Sequence, residues 1–308
     1  MGFPTRLAIT AVMSVFTIGA GGAAAGATAS PSPPKFTCTG SLSSPELLPS
    51  GTYSSLVMPP GSICAMPGPA PVTVLSGVTL QRNSGLLTGI AKGISANVKI
   101  VGKLTLNPGA AFVAALNNEK NPVNILGQVT VQSGALFYLG TEVPGAPPFA
   151  SILGGVAGQD PSAIVIQNTV IGGPVSVSGG GAVNKIVEAL SHNSPDTNYT
   201  DFEDDQIKGG ITEVGYGGVW GGVIRTIMKG SLVFAFNHQT KIDEYDIGSN
   251  IIRGSAYCEG NKPAPNKGKS PGAPSIVHGP TFGNQAKTCT GVPGGGTGPP
   301  GLRPPKIG

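Results

Sequence analysis

Two nine-residue stretches, VKIVGKLTL from Val98 and VNILGQVTV from Val123, write one pattern twice at an interval of 25 residues. The pattern is V-x-I-x-G-x-[VL]-T-[VL], with apolar side chains at every second position. Such alternation puts the apolar set on one face of a strand. Gly102 and Gly127 stand at the centre, on the inward face, where no side chain fits or the backbone must bend.

Further copies follow along the chain. VTVLSGVTL begins at Val72 with one extra residue before Gly77, and TVIGGPVSV centres on Gly173. Looser copies are QIKGGITEV (Gly209), TIMKGSLVF (Gly230) and NIIRGSAYC (Gly254). Between Gly127 and Gly173 there is room for one more unit, in ASILGGVAG and AIVIQN. A period of about 20–25 residues, with one β-motif per period and no helix between, is the signature of a solenoid. The fold expected is an all-β, right-handed parallel β-helix of about eight coils. Its inward residues would form columns such as Val98, Val123 and Thr169, or Ile100, Ile125 and Ile171. A β-sandwich built on hairpins is disfavoured, because neither Asn-Gly nor Asp-Gly occurs in the sequence.

The chain opens with a single charge, Arg6, an apolar stretch from Leu7 to about Ile18, and small residues ending in Ala27-Thr28-Ala29. Residues 1–29 read as a secretory leader, too short in its apolar part to span a membrane. The four cysteines, Cys38, Cys64, Cys258 and Cys289, lie beyond it. An even number in an exported chain points to two disulfides with three possible pairings. Cys38–Cys64 and Cys258–Cys289 are the economical choice, one near each end. They divide the chain into an N-terminal cap over 30–71, the β-helix over 72–258, and a C-terminal cap with a disordered Pro/Gly-rich tail over 259–308. Charged residues make up 11% of the sequence, against about 25% in ordinary soluble domains, and 49 residues are glycine. This favours β-structure with tight turns. The one helix candidate is Asn184 to Ser191.

SGTYSSLVMPPGSICAM, SGALFYLG, DFEDDQIKGG, GVWGGVIR and DEYDIGSNIIRG together resemble the secreted parallel β-helix proteins of actinobacteria that carry no assigned activity. The resemblance covers about Thr52 to Gly283. It implies fold and export, and it brings no catalytic residue with it.

Without the leader, 18 Lys and Arg stand against 15 Asp and Glu. A net charge of +3, spread along the chain, gives no argument for nucleic acid, and no membrane contact is expected once the leader is removed. No cofactor is implied, since no Walker A loop or dinucleotide fingerprint occurs. The cysteine spacings fit no zinc site, and the D-x-D-x-D-G spacing of a calcium loop is missing. GKSPG, Gly268–Gly272, matches G-x-S-x-G only formally, because it lies in the proline-rich tail. Nothing in the sequence sets an oligomeric state.

The densest polar clusters are DFEDD (Asp201–Asp205) and DEYD (Asp243–Asp246). Asp201 and Asp246 each lie eight residues before a coil glycine, and Gly222 takes that place in the coil between. On stacked coils the two carboxylates would share a face roughly 9–10 Å apart. That is close to the separation of about 6.5–9.5 Å used by inverting glycosidases. Asp201 and Asp246, helped by Glu203 or Asp243, are therefore the residues for a polysaccharide lyase or glycosidase, by analogy with other β-helices. The competing expectation is a non-enzymatic rod that serves a structural role or binds a polysaccharide or cell-wall glycan. Its candidate contacts are Trp220, Tyr216, Asp204, Asp205 and Tyr245. Acids of this kind also suit solenoid turns, where they cap backbone N–H groups. The insertion Ser191–Phe202 is expected to emerge as a loop beside these residues.

Overall fold

The computed structural model describes residues 31–66, 71–88, 97–115, 122–141, 143–190, 197–240, 245–265 and 273–290. The fold belongs to the unit from Pro33 onward. Residues 1–29, read above as a leader, the end of the tail and Asp243 lie outside the described residues.

Three parallel sheets form the walls of a solenoid, with eleven strands in sheet I, nine in sheet II and ten in sheet III. One coil shows the path. Val98–Ile100 lies in sheet III, Lys103–Leu106 in sheet I and Ala111–Ala115 in sheet II, before Val123–Ile125 returns to sheet III one layer on. The alternation read from the sequence is the reason. Ile100, Ile125, Ile152 and Ile171 stack in one column of sheet III and are fully buried. Burying each such side chain contributes about 1.5–3 kcal/mol. The extra coil placed between Gly127 and Gly173 is present as Ala150–Ile152, Val156–Gln159 and Ala163–Gln167. Among the described residues every strand pairing is parallel, so the hairpins of a sandwich do not occur.

The stack runs past both ends of the span 72–258. Strands from Lys35–Thr37 to Ile63–Met66 already lie in the three sheets, and the last are Ile276–Val277 and Thr281–Phe282. Both disulfides form with the economical pairing, Cys38–Cys64 and Cys258–Cys289. The second ties the short helix Ala286–Thr290 to Ala256–Glu259, the last strand but one of sheet I, where Cys258 stacks on the inward Phe234.

The central glycines serve the stack and not the core. A Cβ on Gly127 would sit 2.3 Å from the carbonyl oxygen of Gly102, and one on Gly102 would sit 1.3 Å from that of Ser76. The side chain would therefore run along the axis into the backbone of the previous coil. In the earliest copy Ser76, not Gly77, holds this corner.

The corner between sheets II and III is built differently. Asn168, Asp204, Arg225 and Ser249 occupy it in successive coils, all with left-handed backbone. Asn and Asp tolerate that region better than other side chains. After Asp204, Arg225 and Ser249 the next residue points inward and accepts a hydrogen bond from the coil before. Asp205 accepts from the Thr169 N–H at 2.8 Å, Thr226 from Asp205 at 3.4 Å, and Asn250 from Thr226 at 2.9 Å. A second ladder joins Asn237 to Tyr216, Asn261 to Asn237 and Gln285 to Asn261. Both ladders satisfy buried backbone donors where the aliphatic columns stop.

The helix expected from Asn184 forms over Lys185–Leu190. Asn184 caps it, accepting from the Ile186 and Val187 N–H groups while its amide donates to Gly134 O at 2.8 Å. Ile186, Val187 and Leu190 pack on the outer face of sheet II, over Ile63, Leu87, Ala111, Leu136 and Ala163. This helix ends before the insertion read from the sequence, Ser191–Phe202, whose residues 191–196 lie outside the described residues. Tyr199–Phe202, assigned to it from the sequence, instead open the strand Tyr199–Glu203.

Candidate functional site

Beyond the helix, the outer face of sheet II turns polar. Its central row runs Tyr138, Val165, Asp201, Gly222, Asp246, in register from coil to coil. Asp201 and Asp246 therefore do share a face, with one coil and Gly222 between them, and stacking sets them about 9–10 Å apart. One flanking row carries Tyr199 and Trp220, the other Gln167, Glu203 and Ile224.

The space between the two carboxylates is taken. A Cβ on Gly222 would fall 2.2–2.9 Å from the six-membered ring of Trp220, so the indole lies over this glycine. Its Nε1–H donates to Asp246 Oδ2 at 3.1 Å, and its ring meets Tyr199 edge-on at 6.1 Å. Gln167 Nε2 donates to Asp201 Oδ2 at 2.6 Å, and Tyr138 Oη donates to Gln167 Oε1 at 3.3 Å. Arg225 donates to Glu203 and grips both Asp204 oxygens at 2.9 and 2.8 Å. Asp204 and Glu203 in return hold the guanidinium pKa above its ordinary value. Burial, with Tyr138 and Asp201 alongside, raises the Tyr199 phenol. The acids on this face are engaged hydrogen-bond acceptors.

Three expected surface contacts lie in the interior. Asp205 is buried in its ladder, and desolvation raises its pKa well above the usual carboxylate range. Tyr216 is fully buried with its hydroxyl donating to Ser162 O. Tyr245 is fully buried against Phe234, ring centroids 5.1 Å apart. None of the three can touch a ligand on the outer face. Asp204 belongs to the corner and its Arg225 pair. Asp201, Glu203, Asp246 and Trp220 are brought together, and Tyr138, Gln167, Tyr199 and Arg225 join them.

Sequence reasoning passed over Glu213. It stands in an inward column of sheet I between Val177 and Phe234, fully buried. Neither carboxylate oxygen meets a hydrogen-bond partner among the described residues, and the same holds for Thr200 Oγ1 and Tyr245 Oη. Burial pushes the Glu213 carboxyl up to about 8, opposed by the neighbouring Thr200 hydroxyl. The signal was available: in the motif, Glu213 occupies the final [VL] position.

One cluster among the described residues has metal-ligand character, Cys38, Glu46 and Cys64, and its two sulfurs are consumed in a disulfide. No helix among the described residues is long and apolar enough to cross a membrane. No protein-family model, no curated protein and no solved structure matches the chain.

Proposed function

We propose that this protein is an exported β-solenoid that holds glycans on the outer face of sheet II and performs no chemistry on them. The observation that carries the reading is the placement of Trp220. The partly buried indole and Tyr199 form an aromatic platform, flanked by an amide and by carboxylates, those of Asp201 and Glu203 buried, whose orientations are fixed by Gln167, Arg225 and the indole N–H. Apolar ring faces with a few fixed polar groups are what a sugar needs for stacking and orientation. Catalysis would need Asp201 and Asp246 to face a scissile bond, and the indole fills that gap. Export is supported by the leader and by two disulfides, which persist in oxidising compartments. The resemblance to secreted actinobacterial β-helix proteins agrees with it.

Trp220 is the only tryptophan, so its fluorescence reports on this face alone. Titration with a bound glycan is expected to change its emission, and Trp220→Ala to abolish retention on a carbohydrate array. Retention unchanged in Trp220→Ala would defeat the reading. The second reading, a polysaccharide lyase or glycosidase, draws on the shared row of Asp201 and Asp246. Turnover of acidic or neutral glycans that disappears in Asp201→Asn or Asp246→Asn would establish it instead.

A further inference from the structure

The outer edge of sheet III, where each coil turns toward sheet I, changes character along the rod. In early coils this row carries Leu75, Val101 and Leu153, all exposed. In the last four it carries Lys208, Lys229, Arg253 and His278, also exposed. Each basic residue donates its backbone N–H to the previous coil, to Ile171, Ile207, Met228 and Ile252 in turn, so the four are in register. They are spaced at about 4.8 Å per coil, a track of roughly 14 Å along the axis. Two residues before each cation, on the same side of the strand, stand Gln206, Ile227, Ile251 and Ile276 in a parallel row. Ile227 and Ile276 are 41% and 58% exposed, which places an apolar strip beside the charged one.

The fold does not ask for these cations. Leucine and valine occupy the same row elsewhere, and like charges in adjacent register oppose stacking. Residues 206–210, 227–231, 251–255 and 276–280 contain no Asp or Glu. Lys208, Lys229 and Arg253 form no ion pair among the described residues. An aligned cation row with no ion pair among the described residues, beside exposed isoleucines, is suited to an external partner.

We infer that this edge binds a linear acidic polysaccharide lying along the solenoid axis. A polyuronate carries one carboxylate per sugar, and a sugar's length is close to the rise of one coil. Carboxylates can then meet Lys208, Lys229 and Arg253 in turn while ring faces lie on Ile227, Ile251 and Ile276. Single-stranded nucleic acid fits less well, since this edge offers no aromatic platform for bases among the described residues. The site is on a different face from Trp220 and does not rest on the reading of sheet II.

The test is calorimetric titration of the full chain with oligogalacturonates of two to six residues. Affinity is expected to rise with length to about four residues and to fall with salt. The Lys208→Gln/Lys229→Gln/Arg253→Gln variant is expected to lose about fivefold per cation, roughly a hundredfold in all. Lys35→Gln/Lys99→Gln/Lys103→Gln, with the same change in net charge, and Trp220→Ala are both expected to bind as the wild type does. Equal loss in the two triple variants would show that only net charge acts, and would overturn the proposal. So would binding to phosphatidylglycerol vesicles or oligothymidylate without binding to oligogalacturonate, or no binding to any of the three.

Discussion

Replacing Glu213 with glutamine is expected to stabilise the protein at neutral and alkaline pH and to flatten its stability profile. In the unfolded chain this carboxyl ionises near its ordinary value of 4.5, while in the folded core it keeps its proton up to about 8. Between those values the folded state holds more protons than the unfolded one, so stability must fall as pH rises. The loss is about 1.4 kcal/mol per pH unit, on the order of 3 kcal/mol by pH 7 and 5 kcal/mol by pH 8. Below pH 4.5 the full contribution of the neutral acid is retained. Glutamine keeps the shape and cannot ionise, so the variant should match the wild type near pH 4.5 and exceed it increasingly up to pH 8. Glu213→Leu makes the same point with an apolar side chain, in a column that already holds Leu80 and Leu106. Urea midpoints at pH 4.5, 6, 7, 8 and 9, with both disulfides intact, measure the effect. Asp205 also titrates from a buried site, yet it is present in both proteins and cancels in the difference. Parallel profiles for wild type and Glu213→Gln would refute the argument, because they would mean that the carboxyl is solvated or already compensated.

Other substitutions probe the stack itself. Gly127→Ala drives a Cβ to within 2.3 Å of a backbone oxygen one coil away, and is expected to lower stability by about 3 kcal/mol or more, seen as a drop in Tm. Asp205→Asn keeps an acceptor for the Thr169 N–H and is expected to be tolerated at neutral pH. Asp205→Ala strands that donor and should cost about 1–3 kcal/mol in urea titration. Cys258→Ser/Cys289→Ser opens a crosslink of sequence separation 31 and should cost about 3–4 kcal/mol. Hydrogen exchange is expected to quicken in Ala256–Thr290 and not around Val98–Val131.

How much could be read from the sequence depended on parity. Within one strand, alternate residues face in and out, and that rule correctly placed Ile100 and Ile125 inward. Counting back from the coil glycines also put Asp201 and Asp246 in one row, because Gly209 and Gly254 hold the same corner in their coils. The rule fails at the corner between sheets II and III, where one left-handed residue resets the alternation. In DFEDD, Asp201 and Glu203 face out and Phe202 faces in. Asp204 then takes the left-handed turn, and Asp205 faces in although strict alternation would send it out. A run of four acids reads as a solvated patch, yet Asp201, Glu203 and Asp205 are all buried, the last of them as a rung of the interior.

The same dependence on coil position explains the basic edge. Summed over the chain, the charge is small and looks scattered. Aligned by coil, Lys208-Gly209, Lys229-Gly230, Arg253-Gly254 and His278-Gly279 repeat one dipeptide pattern. The glycine is imposed by contact with the preceding coil. The cation before it answers to no such contact, since leucine and valine stand at that place in earlier coils. In a solenoid, a side chain that recurs from coil to coil without filling the core or satisfying the backbone is the one to explain by what lies outside. By that criterion the cations of sheet III are surface features that the stack does not require, whereas Asp205, Tyr216 and Tyr245 are accounted for by the interior.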